Sequence, residues 1–321
     1  MKKSVKIWLW VATSLMLVGC VVFGGVMTFL GWNFTQLSTS KYETNNYEIN
    51  ESFTGISIST DVAEITFLTS EDQKCRIECY EQSRSKHSVA VKEGTLAVEM
   101  VDTRKWYDHV GMNFSKPSIK IYMPQGEYGV LLIRSDTGDV KIPKAFKFAS
   151  MDIETTTGAV TSNASAHGLM KIKASTGKIH LEGINAGAID VSVTTGKVKM
   201  LGAICKGDVS IGVSTGATEL ADVTCQNFIT TGNTGSLSLK KVTAVQRFSI
   251  ERSTGNVWFE ASDAAEIFVK TNTGSVKGSL LTEKVFIPKT STGRVDVPDT
   301  VEGGRCEIKT TTGDIIVNIQ R

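Results

Sequence analysis

The chain has 321 residues, with 35 Lys and Arg against 33 Asp and Glu, 41% hydrophobic residues, 29 Gly and only 5 Pro. A charge balance of +2 argues against a nucleic-acid binder. Four His and six scattered Cys are a poor inventory for a metalloenzyme, and the length suits two average domains or one long repetitive one.

Residues 1–6 carry Lys2, Lys3 and Lys6, and then no charge occurs from Ile7 to Trp32. As a helix, residues 7–32 extend roughly 39 Å, enough to cross a bilayer with some tilt. No basic residue follows the segment until Lys41, so the lysines before it set the orientation: residues 1–6 cytoplasmic, everything after Trp32 outside. Leu17-Val18-Gly19-Cys20 also matches the bacterial lipoprotein processing box, which makes a lipid anchor at Cys20 the alternative. Against it, Val21-Val22-Phe23 and the residues up to Leu30 stay apolar, where a mature lipoprotein starts polar. Residues 33–47, rich in Ser, Thr and Asn, are expected as a tether.

Residues 48–130 alternate apolar and polar positions, as in Gly55-Ile56-Ser57-Ile58, Cys75-Arg76-Ile77-Glu78-Cys79 and Ser118-Ile119-Lys120-Ile121. They form a β-rich region suited to cap a repeat array, with an exposed loop expected over 104–116. From 131 to 321 a repeat takes over. The pair Thr-Gly recurs with the glycine at Gly138, Gly158, Gly177, Gly196, Gly216, Gly235, Gly255, Gly274, Gly293 and Gly313, at intervals of 19 or 20 residues. Seven and five residues before it, and two after it, Val, Ile, Leu, Met and Phe dominate, as in Met170, Ile172 and Ile179. Apolar residues two apart mark strands with one buried face. Thr230 and Pro288 (five before), Cys306 (seven before) and Thr218 (two after) occupy the same columns.

Each unit thus reads as strand, Thr-Gly corner, strand. A unit this short cannot bury its own apolar face, so neighbours must cover one another. The expected fold is all-β: a parallel β-solenoid of about ten 19–20-residue repeats, on the order of 43 Å long, after one transmembrane helix and the cap. An antiparallel array with each Thr-Gly as a hairpin turn is the competing arrangement. Asn-Gly and Asp-Gly are absent at the corners, which disfavours it. Charges also favour stacking, since Glu154 precedes Lys173 by one unit, and Asp152, Lys171 and Asp190 alternate over three.

An N-terminal membrane helix, a strand-rich lead-in and tandem φ-x-φ-x-x-x-Thr-Gly-x-φ units resemble the β-strand-repeat "putative adhesin" family of membrane-anchored bacterial envelope proteins. The resemblance covers roughly residues 50–321. It implies a cell-surface protein linked to adhesion or to envelope-stress sensing, and it brings no catalytic motif.

The residues themselves point away from an enzyme. Asp136-Thr137-Gly138 has the triplet of aspartic proteases, but no second such triplet exists and this one is the first of ten corners. Asp152, Glu154 and Asp190 could serve a polysaccharide-cleaving β-helix, yet they alternate with lysines, which suits pairing. No Cys-x-x-Cys or ligand-like His spacing supports a metal, and no cofactor motif is present. His87, His109, His167 and His180 are expected on the surface. Cys75 and Cys79, roughly 13 Å apart along one strand, cannot be bridged. Cys205 and Cys225, each nine residues after a corner glycine, fall at strand spacing as buried thiols or a disulfide. One surface feature stands out: Lys178 and His180 are followed one unit on by Lys197 and Lys199, a basic patch suited to an anionic wall polymer or lipid headgroups. The expected function is non-enzymatic, a membrane-anchored extracellular rod for contact with cell-wall polymer or envelope proteins, not nucleic acid or a small molecule. A stress sensor acting through a membrane partner is the alternative.

Overall fold

A computed structural model describes residues 3–33, 41–104 and 115–320. Part of the expected tether (34–40) and most of the expected loop (105–114), with His109, therefore lie outside the described residues. Among those described there is one helix, Lys3–Phe29, and its Val5–Phe29 portion is long and apolar enough to cross a membrane. It stops short of Trp32 because Gly31 and Trp32 both turn to a φ of 58°. The tether is also shorter than expected, since Tyr42–Ile49 is a strand paired antiparallel with Cys75–Gln82.

All remaining regular structure among the described residues is β, and the units stack in parallel and in register. Between the strands Ser165–Glu182 and Asn185–Cys205, Met170 lies opposite Ile189, Ile172 opposite Val191, Gly177 opposite Gly196, and Ile179 opposite Val198. These apolar columns are fully buried. Each Ile, Val or Phe so enclosed contributes about 1.5–3 kcal/mol, and repetition along the rod makes this the main stabilising term. Only Ser165–Glu182 and Asn185–Cys205 run through a Thr-Gly corner, and elsewhere the strand ends at the Thr, yet the hydrogen-bond ladder continues around the bend. Gly158 N donates to Thr176 O at 3.0 Å, and Gly216 N donates to Thr234 O at 2.8 Å.

The corner glycines are required twice over. Nine of them have φ between 140° and 159°, a region closed to side chains. Each also touches its neighbour: a Cβ on Gly216 would lie 1.6 Å from Gly196 O, and one on Gly177 1.8 Å from Gly158 O. A second corner, six residues after the first, has left-handed backbone at Gly183, Gly202, Asp222, Lys241 and Ala261.

Both ends depart from simple succession. At the N-terminal end, Gly55–Val62 and Glu64–Thr69 form a coil with no Thr-Gly, stacked on the Gly138 unit. Ala63 holds its corner and donates from N to Thr137 O at 3.0 Å. Thr95–Asp102 and Ser118–Met123 make a further parallel layer outside it. The hairpin strands Cys75–Gln82 and Ser85–Lys92 then close the rod antiparallel. Antiparallel pairing therefore occurs in this lead-in, and the Thr-Gly units do not use it.

At the other end the order of units is interleaved. Cys306–Thr312 pairs with Ile267–Thr273 on one side and Phe286–Thr292 on the other, so the Gly313 unit lies between those of Gly274 and Gly293. This corrects the expectation of consecutive rungs. Pro288 gives a physical reason, because proline is tolerated on an edge strand and not inside a sheet. A buried ion pair fastens the outer unit to the inner: Lys284 Nζ lies 2.7 Å from Asp263 Oδ1, and Thr282 Oγ1 donates to Asp263 Oδ2 at 2.6 Å.

Candidate functional site

The rod presents its outward columns as rows of side chains at strand spacing. Lys178 lies opposite Lys197 and His180 opposite Lys199, so stacking does gather the four basic residues. The patch has acidic edges: Glu219, opposite Lys199 on the next unit, reaches Lys197 Nζ at 2.6 Å, and Glu182 lies 3.2 Å from His180 Nε2. The same column continues through Ser238, Trp258 and Lys277. The Trp258 indole is 48% exposed, an aromatic neighbour that the repeat pattern did not flag. Along the corner itself, Thr157, Thr176, Thr195, Thr215 and Thr234 stand in line and exposed, a row of hydroxyls at even spacing.

On the opposite side of the bend, the carboxylates weighed as glycan-cleaving groups are engaged by cations. Arg134 Nη1 lies 3.0 Å from Asp152 Oδ1, Lys173 Nζ lies 2.8 Å from Glu154 Oε1, and Lys171 stands opposite Asp190. The hydrogen bond from Lys173 holds the Glu154 carboxyl below its ordinary range, the reverse of what a general acid needs.

Cys205 and Cys225 are buried, unbonded thiols. Burial pushes the Cys225 thiol up to about 12, and Cys205 Sγ donates to Asp208 O at 3.4 Å. Deeper in the rod, Arg252 is buried with no carboxylate partner among the described residues. Its Nη2 donates to Thr230 Oγ1 at 2.9 Å and Thr218 Oγ1 at 3.3 Å, while Nε and Nη1 have no partner. Gly232 makes room, since a Cβ there would lie 2.0 Å from Nη1. This explains the two threonines in otherwise apolar columns.

The cap holds a polar cluster that spacing did not reveal. His87 is buried, a correction to its expected surface position. Glu81 Oε2 accepts from the His87 backbone N at 2.7 Å and lies 2.6 Å from His87 Nδ1, while Glu81 Oε1 accepts from Asn45 Nδ2 at 2.7 Å. His87 Nε2 lies 2.9 Å from Thr60 Oγ1, and Tyr47 OH donates to His87 O at 2.9 Å. Cys79 Sγ belongs to the group: it, a Glu81 oxygen and a His87 ring nitrogen all lie within 4.8 Å of one another. Burial, with Glu81 and Glu78 nearby, pushes the Cys79 thiol up to about 12. A cavity of about 210 Å³ reaches Glu81 and His87 and is also lined by Tyr42, Gln82 and Arg104. The sequence signal was available: Glu81 continues the inward parity of Cys75, Ile77 and Cys79.

Comparison with known proteins agrees with the architecture. A family model described as Toastrack DUF4097 matches residues 53–203 and again 202–321. A "putative adhesin" of Parabacteroides merdae has 15% identity and a TM-score of 0.53, over 75% of this chain and 97% of the other. One from Bacteroides fragilis has 16% identity and a TM-score of 0.47, over 74% and 97%. A "putative lipid binding protein" of Parabacteroides distasonis has 14% identity and a TM-score of 0.45, over 88% and 98%. A comparison with curated proteins finds no match.

Proposed function

The chain belongs to the Toastrack DUF4097 family, and from that footing we propose that it is a non-enzymatic surface protein. It is held by its N-terminal helix, with the β-rod outside the cell, and it contacts an anionic wall polymer through the column Lys178, His180, Lys197 and Lys199. The observation that carries this reading is the register: Lys178 against Lys197 and His180 against Lys199 gather four basic side chains on rigid strands, bordered by Glu182 and Glu219. Multiple charges fixed at strand spacing suit a polymer whose own charges repeat, and the rod needs no pocket for such a ligand. Trp258, farther along the same column, offers a flat apolar face to a sugar ring.

Co-sedimentation with purified anionic wall polymer tests it. Replacing Lys178, Lys197 and Lys199 together with Gln should weaken binding at least about tenfold and flatten its salt dependence. Unchanged binding would remove the column from the function. The anchor is tested separately by protease protection in intact cells. Digestion of the rod from outside is expected, together with retention of a Cys20→Ser variant in the membrane; a protected rod would overturn the topology, and release of that variant would point to lipid attachment at Cys20.

A further inference from the structure

We propose that Cys79, Glu81 and His87 form a binding site for a divalent transition metal, zinc above all, which staples together the two strands of the cap hairpin. The three side chains come from two strands of that hairpin, Cys75–Gln82 and Ser85–Lys92, and their donor atoms converge within 4.8 Å in a buried place. A thiolate, an imidazole and a carboxylate are the donor set zinc favours, and two negative ligands balance the ion's charge in a site withdrawn from water.

The surrounding groups are those a metal site needs. In tetrahedral coordination the ligand atoms stand about 3.4–3.6 Å apart, so His87 Nδ1 and Glu81 Oε2 must separate by about 0.8 Å from their present contact. His87 Nδ1 is the ligating nitrogen, because Nε2 faces Thr60 Oγ1 at 2.9 Å and can donate its hydrogen there. Asn45 holds the other Glu81 oxygen, and Tyr47 holds the His87 backbone. These outer contacts orient both ligands before the ion arrives. The cavity that reaches Glu81 and His87 has room for water as a fourth ligand.

The proton balance is simple. On binding, the Cys79 thiol gives its proton to solvent and forms the bond to the metal. His87 binds as the neutral imidazole: Nδ1 gives up the hydrogen it shares with Glu81 Oε2 and bonds the metal, while the ring's one hydrogen resides on Nε2 with Thr60 as its acceptor. Glu81 binds as the carboxylate. No electron transfer is involved.

Cobalt(II) is the probe, added to the full-length chain in detergent after treatment with a chelator. One equivalent should produce thiolate-to-cobalt charge-transfer absorption together with the strong visible bands of four-coordinate cobalt, and zinc should bleach both. Cys79→Ser should abolish the charge transfer, whereas Cys205→Ser should leave it intact. Thr60→Val removes only the partner of Nε2 and guards against misfolded ligand variants; it should keep the spectrum and weaken cobalt binding about 10–100-fold. Absence of the charge-transfer band overturns the proposal, as does its persistence in Cys79→Ser or unaltered affinity in Thr60→Val.

Discussion

The close approach of corner glycines makes a sharp comparison possible. Gly216→Ala would place a methyl group 1.6 Å from Gly196 O and 2.6 Å from Gly196 C, at a φ of 141°. The backbone strain costs about 1–3 kcal/mol. Forcing two stacked strands apart costs about another 1–3 kcal/mol. Together they amount to about 4 kcal/mol, a fall of about 10 °C in the thermal midpoint of a rod this size. Gly183→Ala is the control. Its φ is 63° and nothing lies within 4 Å of the added carbon, so only the left-handed backbone penalty of about 1–2 kcal/mol applies. Ala261, with φ 49° at the equivalent corner, shows that the site accepts alanine. Thermal melting of the full chain in detergent, followed by circular dichroism, reads both variants. Equal midpoints would refute the claim that rung-to-rung contact, beyond turn conformation, selects glycine at Thr-Gly.

Two other perturbations probe buried charge. Lys284→Met leaves Asp263 in the closed end of the rod without its cation and should cost about 3–5 kcal/mol. Hydrogen exchange should accelerate over 284–319 and not in the cap; uniform exchange would contradict a local fastening. Arg252→Met removes a buried guanidinium that lacks a counter-ion and should stabilise the rod by about 1–4 kcal/mol. The pH sign agrees. Burial pushes Arg252 down to about 10. Below that pH both folded and unfolded chains are protonated and the folded state bears the whole desolvation cost, which is relieved only as pH rises from 10 toward the unfolded value. The gain should therefore be full at pH 7, and a lower melting midpoint there would sink the reasoning.

Periodicity made the rod legible because ten Thr-Gly pairs repeat a backbone need that only glycine meets. The second corner escaped because Asp222, Lys241 and Ala261 occupy it, and left-handed backbone free of close contacts imposes no single residue type. The first coil escaped for a related reason: Ala63 replaces glycine at the outermost corner, which has the Thr137-Gly138 corner on one side and no Thr-Gly corner on the other. The basic column was readable from spacing, since parallel register converts a 19-residue interval into contact. The cap cluster was not, because it joins Thr60, Glu81 and His87 from three strands of differing direction. Alternation alone would have placed Glu81 inside, and a buried carboxylate calls for partners.

The interleaving at the carboxyl end has a consequence for biosynthesis. Residues 284–296 emerge from the ribosome before 304–319, yet in the finished stack they touch the Gly274 unit chiefly through that later segment. Their seat does not exist until residues 304–319 have been made, so during translation their apolar edge must wait uncovered. The later strand acts as a keystone: this part of the stack closes only once residues 304–319 are available, and a nascent chain cut short before residue 304 would leave an open sheet edge ready to capture another polypeptide.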